Sequence, residues 1–165
     1  MLTVGNKFPN FTLQGVDNCN DFVKVQLNED NWNVVYFYPK DFTFICPTEI
    51  AGMDILVKEA NVIGISGDNE FCKLAWKKDN DLIGGIKHSL AADCGLGLSH
   101  ELGIVNSNEK VCYRATFIID PNGKIAQYPA YPPSPLYNNQ SIDVTFFNLK
   151  KNNSVKTPFG IGGKN

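Results

Sequence analysis

The chain has 165 residues, 43% hydrophobic and 19% charged, a size and balance that suit one folded domain burying its core without disulfides or metals. Its 15 basic and 17 acidic residues leave a net charge of −2, so there is no basic stripe to neutralise phosphates and no nucleic-acid partner is expected. No apolar run approaches the ~20 residues of a membrane span, and the N-terminus lacks the pattern of a secretion signal, so the expected location is cytoplasmic, away from membranes.

In chain order, Phe8 to Leu13 reads as a short extended entry, and Phe22 to Leu27 alternates apolar and polar like a half-exposed strand. Asn28 to Asn33 is a turn. Val34 to Tyr38 is β-branched and aromatic throughout, as expected of a central strand covered on both faces. It ends at Pro39, and a polar link, Lys40 and Asp41, leads through Phe42 to Ile45 into Cys46-Pro47-Thr48-Glu49, the first turn of a helix. That helix carries Ile50, Met53, Leu56 and Val57 on one face. Asn61 to Ser66 is a second buried strand. A second helix follows, Phe71 to about Lys78, capped by Asp68 or Asn69, with Phe71, Leu74, Ala75 and Trp76 expected to face the sheet.

Lys77 to His88 reads as a polar, glycine-containing connection, Ala91 to Asp93 as a short strand, and Ser99 to Leu102 as a small helix closed by Gly103. Tyr113 to Ile119 is a strong strand, and the turn Asp120-Pro121-Asn122-Gly123 returns it as a hairpin through Lys124 to Tyr128. Tyr128 to Asn139, rich in proline, reads as a loop, and Ile142 to Leu149 as a last short helix. The expected organisation is one domain over residues 1–150 with a short flexible tail over residues 151–165. This order of strands and helices gives an α/β fold with a central mixed sheet flanked by helices, matching the thioredoxin-like fold.

The chemistry is concentrated in P-x-x-x-T-x-x-C, formed by Pro39, Thr43 and Cys46. Cys46 stands where a strand gives way to a helix N-terminus, whose free N–H groups and dipole favour a thiolate, and in such places a cysteine pKa falls from ~8.5 toward ~4–7. Thr43, three residues earlier, can turn its hydroxyl toward the sulfur, and Pro39 can wall off the site without donating a hydrogen bond. Arg114, at the head of a later strand, offers a permanent charge and a fixed fork of donors. Thiolate, hydroxyl and guanidinium around one small cavity suit a peroxide: the thiolate attacks one oxygen while the donors stabilise the oxygen that leaves. The product on Cys46 is a sulfenic acid.

The run Y-F-Y-P-K-D-F-T-F-I-C-P-T-E-I resembles the active-site signature of the peroxiredoxins, in particular the alkyl hydroperoxide reductase C and typical 2-Cys branch. W-N-V-V-Y-F-Y-P, I-S-G-D-N-E-F-C-K-L-A-W, G-G-I-K and Y-R-A-T-F-I-I-D-P-N-G-K-I fall in the same order as in that family, so the resemblance covers residues 1–128 well and the remainder poorly. It implies that Cys46 is the peroxidatic cysteine, that Thr43 and Arg114 bind peroxide, that Pro39 shields the site, that Glu49 positions the arginine and that Trp76 packs nearby. It further implies reduction of hydrogen peroxide and alkyl hydroperoxides without a cofactor, re-reduction by a thioredoxin-like protein or small thiol, and assembly into a homodimer or ring of dimers. A peroxiredoxin-like holdase or redox-signalling role with weak or no turnover is the alternative.

Three departures bear on recycling. No cysteine follows Cys112, where typical 2-Cys relatives carry a resolving cysteine, so the usual intersubunit disulfide is not expected. The helix after Cys46 is short, and Ser66-Gly67-Asp68 replaces the usual serine-x-aspartate-serine run. Cys72 is a candidate resolving thiol, against the plainer reading of a half-buried helix cysteine. Cys94 and Cys112 read mainly as core or strand filler, although they can also pair with each other or resolve Cys46. His88 and His100 with these cysteines lack any C-x-x-C pair, so no metal site is expected. A disulfide exchanger would need a second cysteine where C-P-T-E has Glu49, and neither histidine is patterned to serve a cysteine hydrolase.

Overall fold

The computed structural model describes residues 2, 4–43 and 46–127; the expectations placed on Phe44, Ile45 and residues 128–165 lie outside them. The described residues build β1 (Leu13–Val16), β2 (Phe22–Val25), β3 (Asn33–Phe37), α1 (Cys46–Gly52), β4 (Asn61–Ser66), α2 (Glu70–Asp79), α3 (Asp81–Gly84), β5 (Ser89–Ala92), α4 (Gly97–Leu102), β6 (Val105–Asn106), β7 (Val111–Cys112), β8 (Ala115–Ile119) and β9 (Ile125–Gln127). A seven-stranded sheet runs β2-β1-β5-β4-β3-β8-β9, while β6 and β7 form a separate hairpin. β3, β4 and β5 are parallel, and β1, β2, β8 and β9 join antiparallel, so the sheet is mixed. None of the described helices is long and apolar enough to cross a membrane.

Every residue of β3 is buried because the sheet is covered on both sides. Val34 and Tyr36 pack with Ile50, Met53, Leu56 and Trp76, beneath α1 and α2. Val35 and Phe37 turn the other way, onto Leu98 and Leu102 of α4. α1 is seven residues long and continues as a 3₁₀ turn, Met53–Leu56. Ile50, Met53 and Leu56 are buried as the spacing predicts, and Val57 packs at the edge of the same cluster.

Several expectations are corrected. α2 begins as predicted, with the Asn69 side chain accepting from the Cys72 N–H at 2.8 Å, but its buried face is different. Lys73, Trp76 and Lys77 are buried, whereas Phe71 is 65% exposed, Ala75 is exposed and Leu74 is only half-buried. The lysines turn inward because each finds oxygen partners: Lys73 reaches Asp41 and Ser66, and Lys77 donates to the Asp17 carbonyl at 2.8 Å. Phe71 instead stacks edge-on against Phe22, with ring centroids 5.1 Å apart. The stretch read as a polar connection contains α3 and buries Ile83 and Ile86 in the core. β1 and the β6–β7 hairpin are further elements where no strand was expected. Asp41, read as part of a polar link, is buried.

Candidate active site

β3 carries the chain to Pro39 at the C-terminal end of the parallel strands, and α1 begins at Cys46. β8 pairs antiparallel with β3 and aligns Ala115 with Phe37, so Arg114, one residue earlier, arrives opposite Tyr38. The two segments that carry the predicted residues, 65 positions apart at Glu49 and Arg114, therefore meet at one end of the sheet. Arg114 Nε donates to both oxygens of Glu49 at 3.1 and 3.2 Å. Glu49 lies one turn along α1 from Cys46, so this ion pair brings the guanidinium to the helix that Cys46 opens.

Pro39 is half-buried, and the Thr43 hydroxyl donates to the Lys40 carbonyl at 3.3 Å, which ties Thr43 back toward Pro39. Between them Phe42 takes φ +59°, a left-handed conformation that costs a bulky L-residue about 1–2 kcal/mol and must be held in place by its surroundings. Trp76 is buried with its ring 6.0 Å from Tyr38 and 5.9 Å from Phe42, so it supports this segment from below.

Residues 4–128 match the AhpC/TSA family. A Bacillus subtilis protein named as a peroxiredoxin, YkuU, is 39% identical over 154 residues, covering 86% of this chain and 82% of the relative. Alkyl hydroperoxide reductase C of Mycolicibacterium smegmatis is 33% identical over 144 residues, with 76% and 73% covered. The mitochondrial thioredoxin-dependent peroxide reductase of Drosophila melanogaster is 37% identical over 121 residues, with 68% and 52% covered. Among solved structures, AhpC of Enterococcus faecalis superposes with a TM-score of 0.82 at 26% identity, over 94% of this chain and 95% of that one. The chain belongs to the AhpC/TSA family.

Within this peroxiredoxin the remaining cysteines differ sharply. Cys112 is buried, and its thiol contacts the Tyr38 carbonyl oxygen at 3.0 Å as a weak donor. Burial, with Asp93 adding to it, pushes this thiol up to about 12, so Cys112 is an inert core residue. Cys94 is a free thiol and exposed, which corrects the expectation that it fills the core. Cys72 is a half-buried free thiol in the first turn of α2. Burial raises its pKa, as do the carboxylates of Asp41 and Asp68, with Lys73 opposing them.

Three features were not anticipated, two beside the site and one at the start of β5. Asp41 accepts from Lys73 and from the Ser66 hydroxyl directly behind the Pro39–Thr43 segment. The Tyr38 hydroxyl is buried beside this group without a hydrogen bond among the described residues, and burial raises its pKa well above the ordinary tyrosine value, so it stays protonated. His88, considered as a metal ligand or hydrolase base, instead bridges the Tyr36 hydroxyl and the Asp54 carboxylate, at 2.6 Å to each. The helical spacing of Lys73 and Trp76 was the available signal for the first, but a lysine at that spacing ordinarily marks a solvated face.

Proposed function

We propose that this peroxiredoxin reduces hydrogen peroxide and alkyl hydroperoxides at Cys46. The Cys46 thiolate attacks the terminal oxygen of the peroxide, the O–O bond breaks, and the departing hydroxide or alkoxide takes a proton to leave as water or alcohol. Cys46 is left as a sulfenic acid, which two thiols of an external donor return to the thiol, forming their disulfide and a second water. Thr43 and Arg114 hold the peroxide and offset the charge growing on the leaving oxygen. Pro39 shields the thiolate, Glu49 orients the guanidinium, and Trp76 supports the segment that carries Thr43. The observation that carries the reading is the Glu49–Arg114 ion pair, which draws a distant arginine onto the helix opened by Cys46.

Cys72 is kept as the candidate internal resolving thiol. An external donor, a thioredoxin-like protein or small thiol, is the other route. Self-association into a dimer or ring of dimers belongs to the same reading, and the exposed rings of Phe22, Phe42 and Phe71 are apolar surface available to it. The direct test is peroxide consumption by the purified chain with excess thiol donor. Cys46→Ser should abolish turnover and Cys72→Ser should retain it. Full turnover in the Cys46 variant would sink the proposal.

A further inference from the structure

α2 grips the segment between Pro39 and Thr43 at two points of one face. Trp76 meets the Phe42 ring, and one turn earlier Lys73 meets Asp41. The Lys73 ammonium has no exposed surface; it donates to both Asp41 oxygens at 3.3 Å and to Ser66 Oγ at 2.6 Å. Ser66 donates its own hydroxyl proton to Asp41 Oδ1 at 2.8 Å, and the Asp41 main-chain N–H donates to Asp68 Oδ2 at 2.7 Å. Asp41 is thus fixed through both its carboxylate and its backbone, immediately before the left-handed Phe42.

A buried ion pair of this kind is a weak source of stability, because desolvating both charges offsets their attraction, and apolar replacements of similar size are often neutral or better. What the pair does supply is a single allowed placement for the residues it joins. We propose that Lys73 is a positioning residue for peroxide reduction: through Asp41 it holds residues 39–43, and with them Thr43 and Pro39, in the arrangement that serves Cys46. The inference rests on the reading of Cys46 as the attacking thiol. Catalytic geometry is sensitive enough to make the effect large, since a displacement of about 1 Å costs about 10²-fold in rate. The ionisable groups around Lys73 are Asp41 on the loop after β3, Asp68 after β4, the thiols of Cys72 on α2, Cys94 beyond β5 and Cys112 on β7, and Tyr38, whose ring centroid lies 5.4 Å from the ammonium. Burial lowers its pKa, and Asp41 opposes that shift most.

The test uses the full chain with Lys73→Met, and with Lys73→Met combined with Asp41→Asn, which leaves no unpaired buried charge and so preserves folding if the single variant does not. Two quantities are read: the rate of Cys46 oxidation by hydrogen peroxide in a single turnover, and amide hydrogen exchange across residues 41–46. The expected result is a folded double variant whose oxidation rate falls by about 30-fold or more and whose exchange over 41–46 quickens by about tenfold, with β4 still protected. An oxidation rate within about twofold of the parent overturns the proposal, as does unchanged exchange over 41–46, since either shows that the pair serves stability alone. Should the double variant not fold, Asp68→Ala, which removes the acceptor of the Asp41 N–H and one carboxylate near Lys73, is measured in the same two ways, and the same results support or overturn the proposal. A parent chain inert to peroxide would overturn the reading of Cys46, and exchange over 41–46 would still separate that failure from failure of the loop's anchoring.

Discussion

Arg114 and Glu49 remain 29% and 37% exposed, so their ion pair contributes only about 0–1 kcal/mol to stability. In the proposed mechanism its role is to aim the guanidinium. Arg114→Ala should therefore lower kcat/KM for peroxide by about 10²–10³-fold while thermal unfolding stays nearly unchanged. Glu49→Gln, which weakens the aim and keeps the donor, should give a smaller loss in the same direction. A large loss of stability in either variant would show that the pair is structural. Among the other thiols, Cys112 should resist a thiol-specific reagent until the chain unfolds, because it is buried and its pKa is about 12. Exposed Cys19 and Cys94 should label in the native state. Rapid native labelling of Cys112 would contradict its placement in the core.

At the scale of elements, the turn that follows α1 is fastened to the start of β5 by Asp54. Its carboxylate accepts from the Lys87 N–H and meets His88 Nδ1, while His88 Nε2 meets the Tyr36 hydroxyl on β3. Burial is the largest influence on His88 and lowers its pKa below 6.5, although Asp54 opposes it. The folded state therefore favours neutral His88: stability is full above pH about 6.5 and is lost as pH falls from there toward the depressed folded value, with a slope of at most about 1.4 kcal/mol per pH unit. Urea unfolding between pH 7 and 5 should show this slope, and His88→Gln should flatten it; an identical slope in both proteins would assign the effect elsewhere. Gly64 makes the arrangement possible. It sits opposite Tyr36 in the β3–β4 ladder, where a Cβ would strike the tyrosine hydroxyl and lie 2.9 Å from Leu90 Cδ2. Gly64→Ala should destabilise by about 1–3 kcal/mol in chemical denaturation.

Over the whole molecule, legibility followed how local the physics is. β3 and β4 were visible as unbroken apolar runs because both their faces are covered, and the start of α2 because its cap lies within three residues. The P-x-x-x-T-x-x-C spacing with Glu49 and Arg114 pointed to the candidate site without coordinates. The inward turn of Lys73 and Lys77 was hidden because their partners, Asp41 and the Asp17 carbonyl, lie far along the chain and leave no periodic trace. β6 and β7, two residues each, are too short to alternate. β1 reads L-Q-G-V, and its glycine reflects the closeness of the Leu90 carbonyl on β5, 2.5 Å from where a Cβ would sit, a constraint that exists only once the sheet is assembled. The central claim, that oxidation by peroxide begins at Cys46, is most directly tested by non-reducing mass spectrometry of the reduced chain after one equivalent of hydrogen peroxide. The first oxygen should appear as a sulfenic acid on Cys46, or as the disulfide formed from it, and neither should form in Cys46→Ser. Oxidation that begins on Cys19, Cys72 or Cys94 while Cys46 stays reduced would contradict it.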